Sequence, residues 1–188
     1  MRIISSFIMA LVCVVSCLAT MTGCSRVRQR QQVARTLSDF MESMIELPDS
    51  AIRVLSGQSD TIAFPESINS YTMVIYCAPE DCSSCVISHI VEYEELFAWS
   101  EELGSFDLQI VFSPLVEEIK EVTSLLSVLD WDRPIYVDYK GSMKHRNVIP
   151  IEDRYHAFLL DRRKHPVFVG NPLHSKKMKD VFMEALTF

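Results

Sequence analysis

The sequence predicts an α/β fold in which a sheet with parallel strand pairs is covered by helices on both faces. Apolar, strand-like runs alternate with segments of helical period between residues 71 and 138, and such alternation is typical of parallel strands joined through helices. Two further strand-like runs lie close together at residues 155–161 and 166–170, and a segment of helical period follows them. We therefore expect a central mixed sheet that ends in a β-hairpin and a C-terminal helix.

The first 23 residues have the composition of a signal peptide. Arg2 is the only charged residue before Arg26, and residues 3–23 are apolar or small, a length that is also sufficient to span a bilayer. The last four residues of this region, 21–24, read Met-Thr-Gly-Cys and resemble a bacterial lipobox, in which cleavage leaves a lipid-modified cysteine as the new N-terminus. We predict a signal peptide at residues 1–23 and lipidation of Cys24, with an uncleaved anchor as the alternative. Both place the rest of the chain outside the cytoplasm.

Residues 24–47 are predicted to be a lipid-anchored tether and helix, and residues 48–188 a single domain. Residues 26–32 are polar and basic, and residues 33–47 have a helical period that Pro48 ends. A short strand is expected at residues 52–55, followed by turn-rich residues up to Ser70. A domain of this length can bury a core of its own.

Next in the chain come a strand, two cysteines and a helix. The run from Tyr71 to Cys77 is rich in β-branched and aromatic residues, which favours a buried strand, and Pro79 ends it. Cys82 and Cys85 then stand at the start of a long amphipathic helix predicted over residues 86–103. The N–H groups at a helix N-terminus favour a thiolate at Cys82. Cys85 lies one turn further on, close enough to attack and resolve a mixed disulfide.

The remaining elements continue the alternation. Strands are predicted at residues 106–112, 134–138, 155–161 and 166–170. Helices are predicted at residues 115–129 and after Ser175, which is a suitable N-cap for the last one. Between them, residues 139–153 are predicted to form an irregular polar loop that Gly141 and Pro150 interrupt.

Charge and cysteine content limit the classes of function. The chain has a net charge of −7, and this acidic balance argues against nucleic-acid binding. Without the signal peptide and the lipidated Cys24, three cysteines remain: Cys77, Cys82 and Cys85. Three uses stay open for them: a redox dithiol at Cys82 and Cys85, which we favour, a permanent silent disulfide of the same pair, and a metal site that adds Cys77. No second C-x-x-C and no closely spaced His pair supports the metal site, so we predict none, and we expect Cys77 to be buried at the end of its strand.

The chain resembles the thioredoxin-fold proteins, and most of all the membrane-anchored, extracytoplasmic TlpA-like group found as bacterial lipoproteins. The resemblance covers roughly residues 52–188 and rests on the strand–C-x-x-C–helix segment, on HAFLLD at residues 156–161 and on PVFVGNP at residues 166–172. It implies a thioredoxin-like fold with Cys82 as the attacking cysteine and Cys85 as the resolving one. Two places depart from the family pattern. Asp81 and Ser83-Ser84 replace the usual Trp and Gly-Pro, and Tyr155-His156 stands where the family has a cis-proline.

These observations predict a thiol–disulfide oxidoreductase of the bacterial cell envelope that uses the Cys82–Cys85 dithiol. His156, Tyr155 and Asp81 are auxiliary candidates, with His156 placed to move a proton. No organic cofactor is expected, because electrons would come from the dithiol of a partner protein. The partners are then protein dithiols and disulfides of the envelope. The competing hypothesis is a redox-silent thioredoxin-fold binding or scaffold lipoprotein.

Two further expectations concern location and redox direction. Ser25 after Cys24 is compatible with sorting to the outer membrane, as the resemblance to lipoproteins implies, so we expect a lipid-anchored protein that faces the periplasm. Glu80 and Asp81 place two negative charges near Cys82, and these should largely offset the effect of the helix N-terminus. The dithiol is therefore expected on the reductase side, nearer to thioredoxin at about −270 mV than to DsbA at about −120 mV.

Overall fold

A computed structural model describes residues 31–187 of the chain. The chain divides into two compact units, residues 1–39 and residues 40–188, and the described part of the first unit is helical. The predicted signal peptide, the lipidation site at Cys24 and the first residues of the tether lie outside the described residues. Among the residues that are described, no helix combines the length and the apolar character needed to cross a membrane. The division into tether and domain stays a prediction.

The described chain contains strands and short helices in alternation. The strands are β1 Ser50–Leu55, β2 Gln58–Ala63, β3 Tyr71–Cys77, β4 Phe106–Phe112, β5 Ile135–Val137, β6 Ala157–Leu160 and β7 Pro166–Val169. The helices are α1 at residues 31–42, α2 Ser83–Ser88, α3 Glu94–Leu103, α4 Ile119–Ser127, α5 Ser142–Arg146 and α6 Lys176–Ala185. Short 3₁₀ turns lie at Ile90–Tyr93, Val116–Glu118 and Asp153–Tyr155.

The strands form one mixed sheet in the order β2-β1-β5-β4-β3-β6-β7. The pairs β3–β4 and β4–β5 are parallel, and the other neighbouring pairs are antiparallel. The two parallel connections step across the sheet in the same direction. Because such crossovers are right-handed, the helices that follow β3 and β4 must cover the same face.

Side chains of the sheet alternate between two cores, one on each face. In β3, Met73 and Ile75 belong to the first core, whereas Val74 and Tyr76 belong to the second, as the period of a strand requires. The first core also contains buried residues of α2, α3, α4 and α6: Ile87, Leu96, Phe97, Trp99, Val122, Leu126 and Phe182. The second core contains Phe40 of α1, Ile45, which follows that helix, and Met143 of α5. The predicted α/β fold with helical cover on both faces is confirmed.

Several predicted elements match the structure closely. The strands predicted at residues 71–77 and 106–112 are β3 and β4 with the same bounds. Ser175 caps α6, since its Oγ accepts a hydrogen bond from the Met178 N–H at 3.2 Å. The strands expected at residues 134–138, 155–161 and 166–170 are present but shorter.

The predicted single helix over residues 86–103 is wrong. The chain leaves α2 at His89, passes through the 3₁₀ turn and only then enters α3. A 3₁₀ turn places residues three apart in line, so Ile87 and Ile90 both face the core, whereas Val91 is 66 % exposed. The apolar period suggested one continuous helix because the 3₁₀ turn between α2 and α3 shifts the buried face over only a few residues.

Two further differences concern segments predicted to be irregular. Strand β2 forms a hairpin with β1 through Ser56 and Gly57, which both have positive φ, as the common two-residue hairpin turns require. It was missed because it is an almost fully exposed edge strand with no apolar alternation. The loop predicted at residues 139–153 contains α5, and the helix predicted over residues 33–47 ends at residue 42.

Candidate functional site

Cys82 and Cys85 are joined by a disulfide at the start of α2, the first helix after β3. Cys82 is the N-cap residue of α2, and its Sγ accepts a hydrogen bond from the Cys85 N–H at 3.3 Å. Both residues are exposed. The disulfide is therefore open to an approaching thiolate, and a Cys82 thiolate would keep one backbone N–H as a hydrogen-bond donor.

A tight turn brings Cys82 to the end of the sheet. Its four residues run from Ala78 to Asp81, with Pro79 at the second position, where the fixed φ of proline suits a turn. The Asp81 N–H donates to the Ala78 carbonyl at 3.0 Å. The Asp81 carboxylate in turn accepts from the Ala78 N–H at 2.8 Å. Asp81 therefore closes the turn from both its backbone and its side chain.

His156 is buried directly behind this turn. Its Nδ1 lies 2.8 Å from Asp81 Oδ2, and its Nε2 lies 2.8 Å from the Pro150 carbonyl oxygen. Its own carbonyl accepts from the Tyr76 N–H at 2.7 Å. The histidine thus connects the turn before Cys82 to the segment before β6, the position at which the sequence resemblance implied a cis-proline. No cis peptide bond occurs within residues 31–187.

The second acidic residue of the turn is also paired. Glu80 forms an exposed ion pair with Lys144 of α5. The hydrogen bond from Lys144 is the main cause that holds the pKa of Glu80 below its usual value. The sequence presented Glu80 and Asp81 as two negative charges near Cys82; in the structure Glu80 pairs with Lys144, and Asp81 Oδ2 accepts from the Ala78 N–H and lies 2.8 Å from His156 Nδ1.

The disulfide borders two cavities that differ in charge. A cavity of about 350 Å³ lies on one side and includes Asp153, Arg154, Asn171 and His174 beside both cysteines. A smaller cavity of about 220 Å³ lies on the other side of Cys82 and includes Glu118, Glu121 and Leu125. Asp81 lines both cavities, and His156 lines the larger one. A partner that reaches the sulfurs therefore meets side chains of both charges on one side and acidic side chains on the other.

The phenols and the third thiol around the site are neutral groups. Burial raises the pKa values of Tyr76 and Tyr93, which line the larger cavity. Burial also raises the pKa of Cys77 to about 12, and its Sγ lies 3.9 Å from Ser83 Oγ. Because the thiolate is the reactive form, Cys77 is an inert side chain of the core. Within residues 31–187, no three His, Cys, Asp or Glu side chains converge as a metal site.

The structure brings most of the predicted site residues together. Asp81, Cys82, Cys85 and His156 share the larger cavity, whereas Tyr155 does not line it and instead lies with its ring 4.7 Å from the Arg154 guanidinium. Cys24 lies outside the described residues. Sequence reasoning missed Tyr93, Arg154, Asn171 and His174. Of these four, only Asn171 could have been singled out from the sequence, because it belongs to the PVFVGNP segment on which the family resemblance rests.

The order of elements around the disulfide decides the fold. Strand β3 pairs in parallel with β4 and in antiparallel with β6, the β6–β7 hairpin continues the sheet, and α6 packs on β7. The disulfide stands at the first helix after β3. The chain has a thioredoxin-like fold.

Solved structures with a similar arrangement include three bacterial proteins. One is the exposed lipoprotein thioredoxin of Streptococcus pneumoniae, at 15 % identity and a TM-score of 0.48, over 73 % of this chain and 98 % of that one. Another is a putative thiol:disulfide interchange protein DsbE from Chlorobium tepidum, at 15 % identity and a TM-score of 0.46, over 77 % and 98 %. A third is an uncharacterized thioredoxin-like protein from Porphyromonas gingivalis, at 16 % identity and a TM-score of 0.43, over 77 % and 92 %.

No family model matches the chain, and no curated protein matches it. Similarities at these identities and TM-scores concern the fold and assign no role to any residue.

Proposed function

We propose that this protein is a thiol–disulfide oxidoreductase of the bacterial cell envelope that exchanges electrons with partner proteins through Cys82 and Cys85. One observation carries the proposal: an exposed disulfide whose Cys82 sulfur accepts a backbone N–H and borders a cavity wide enough for a partner side chain. An idle structural disulfide has no need of either feature. The location rests on the N-terminal sequence, with lipid attachment at Cys24 as its anchor.

The reaction needs only the two thiols and a partner disulfide. The Cys82 thiolate attacks one sulfur of the substrate disulfide, forms a mixed disulfide and releases the other substrate sulfur as a thiolate. The Cys85 thiolate then attacks the Cys82 sulfur, re-forms the Cys82–Cys85 disulfide and releases the second substrate sulfur. Two electrons pass from the dithiol to the substrate. A dithiol of a partner protein restores the reduced state by the same steps in reverse.

The charges around Cys82 determine how strongly the reduced form is stabilised. A thiolate that is stabilised in the reduced state makes its disulfide a stronger oxidant. Because Glu80 pairs with Lys144 and Asp81 with His156, less negative charge opposes the thiolate than the sequence implied. We propose that the Cys82–Cys85 dithiol acts as a reductant, with a reduction potential less negative than the thioredoxin value of about −270 mV.

The backbone beside the disulfide favours recognition through side chains. The N–H groups of Tyr155 and His156 donate to the carbonyls of Glu152 and Asp153, each at 2.9 Å. The His156 carbonyl already accepts from Tyr76. This stretch therefore offers no free N–H to an added peptide strand. We infer that a partner inserts a side chain or a loop into the cavity beside Arg154 and His174.

Reduction of insulin by dithiothreitol, followed by turbidity, tests the proposal. We expect the wild-type protein to accelerate the reaction and Cys82→Ser to abolish the acceleration. Cys77→Ser is the matched control, because it removes a buried thiol that takes no part in exchange, and it should retain the activity. Acceleration that survives Cys82→Ser would contradict the proposal.

A redox-silent scaffold is the second candidate, and one observation favours it. His156 and the internally bonded turn Asp153–Tyr155 occupy the place where a cis-proline would present its neighbour to a peptide. Thiol counting after equilibration in glutathione buffers separates the two functions. A dithiol that opens and closes as the buffer potential changes supports the oxidoreductase, whereas a disulfide that stays closed across the glutathione range supports the scaffold.

A further inference from the structure

We propose that the buried, hydrogen-bonded pair of Asp81 and His156 sets the reactivity of Cys82, because the His156 imidazole offsets the negative charge of the Asp81 carboxylate. The proposal deepens the proposed function, in which Cys82 is the attacking thiolate. His156 would act as a positioning residue, because it acts on the sulfur through Asp81 and does not touch the reacting atoms.

His156 faces a hydrogen-bond acceptor on each side of its ring. Its Nε2 lies 2.8 Å from the Pro150 carbonyl oxygen, which can only accept. The other ring nitrogen, Nδ1, lies 2.8 Å from a carboxylate oxygen of Asp81. A hydrogen between these two atoms offsets part of the carboxylate charge.

Burial makes the loss of this contact costly. The side chain of His156 is 7 % exposed and that of Asp81 is 16 % exposed. Without the His156 ring, the Asp81 carboxylate would lose a hydrogen-bond partner in a site nearly closed to water. The Ala78 N–H is the other donor to the same carboxylate oxygen, and it holds the carboxylate in place for His156.

Asp81 is the acidic group placed to influence Cys82 most strongly. It directly precedes Cys82 in the chain, and the two residues line both cavities together. The other charged side chains around the site are exposed and screened by solvent, except for the half-buried Glu118; they are Glu80 with Lys144, Asp153, Arg154, His174, Glu118 and Glu121. Tyr76 and Tyr93 also line the larger cavity, and burial raises the pKa values of both phenols. Asp81 is therefore the acidic group beside Cys82 that has a buried side-chain partner.

The test measures alkylation of Cys82 by iodoacetamide in the reduced full-length protein across pH, with each cysteine followed separately by peptide mass spectrometry. The rate reports the thiolate fraction and needs no substrate. We expect His156→Gln, which leaves the Asp81 charge uncancelled, to slow alkylation at neutral pH roughly tenfold and to move the profile to higher pH. His89→Gln is the matched control, because His89 is exposed and pairs with Glu92, and its rate should equal that of the wild type.

The double variant separates charge from structure. Adding Asp81→Asn to His156→Gln removes the uncancelled charge, so the rate should return to within about twofold of the wild-type value. A purely structural role predicts the opposite, because removing both partners opens the turn further. Equilibration in glutathione should shift in the same direction, with the dithiol of His156→Gln more reducing than that of the wild type.

Two results would overturn the proposal: an unchanged rate in folded His156→Gln, or a double variant as slow as His156→Gln alone. If His156→Gln does not fold, Asp81→Asn decides, since the charge account requires a rate equal to or above that of the wild type and a slower rate refutes it. Failure of the proposed function would look different, because insulin reduction would be absent while the alkylation rates still followed this pattern.

Discussion

At the scale of the residue, three cysteines close together in the chain have different surroundings and different chemistry. Cys82 and Cys85 are exposed at the start of a helix. Cys77 ends β3 inside the first core and is 2 % exposed. Burial disfavours its charged form, so the residue type alone does not make it reactive.

The raised pKa of Cys77 predicts a loss of stability in alkaline solution. Its pKa rises from an ordinary 9.0 to about 12 in the folded chain. A group whose folded pKa is raised contributes stability below its unfolded pKa, and that contribution is lost as the pH rises toward the folded value. Between pH 9 and pH 12 the wild type should therefore lose on the order of 3 kcal/mol more free energy of unfolding than Cys77→Ala does.

Chemical denaturation at each pH measures this difference. Cys77→Ala leaves a small cavity and is less stable throughout, so only the slopes against pH are compared. The tyrosines that also titrate in this range are common to both proteins and cancel in the comparison. Equal slopes of unfolding free energy against pH would contradict the prediction. They would show that burial does not keep Cys77 protonated at a pH where the unfolded chain loses this proton.

At the scale of the element, helix α6 packs on the sheet around one fully buried side chain. Phe182 is fully buried and contacts Phe106 and Phe168 edge to face, with ring centroids 5.3 and 5.4 Å apart. It also lies beside Trp99 of α3. Met178, Met183 and Ala185 of α6 pack on the same core but are only partly buried, so Phe182 makes the largest contribution to the attachment of the helix.

Phe182→Ala should lower the free energy of unfolding by about 3–5 kcal/mol, since the transfer energy of the ring is lost and a cavity remains. Val181→Ala is the control on the same helix, because Val181 is 44 % exposed and should cost less than about 1 kcal/mol. Urea denaturation measures both. Similar losses in the two variants would contradict the dependence of α6 on Phe182.

At the scale of the whole molecule, the proposed function joins a redox site at one end of the sheet to an anchor at the N-terminus. We predict that Cys24→Ala abolishes processing and lipid attachment, so that the protein stays unprocessed or appears in the soluble fraction. Membrane fractionation and mass spectrometry of the N-terminus measure this. Cys17→Ala, a change within the predicted signal peptide, should leave both unchanged, and normal processing of Cys24→Ala would contradict the lipobox.

The sequence by itself determined the elements whose signals are local. The β-branched and apolar runs placed β3 and β4 with their correct bounds, because a buried strand needs apolar residues on both faces. Ser175 marked the start of α6 through its own hydrogen bond to the following turn. The spacing of Cys82 and Cys85 placed the dithiol at a helix start, since a strand followed by an amphipathic period fixes where the chain must turn.

Only the tertiary structure decided what depends on residues distant in the chain. His156 meets Asp81 across 75 positions, and Lys144 meets Glu80 across 64. No period or motif in the sequence records such pairs, although they give both carboxylates of the turn before Cys82 a side-chain partner. The edge strand β2 and the break at His89 were also decided at this level. In both places the local preference is weak, and pairing or packing with the rest of the chain selects the conformation.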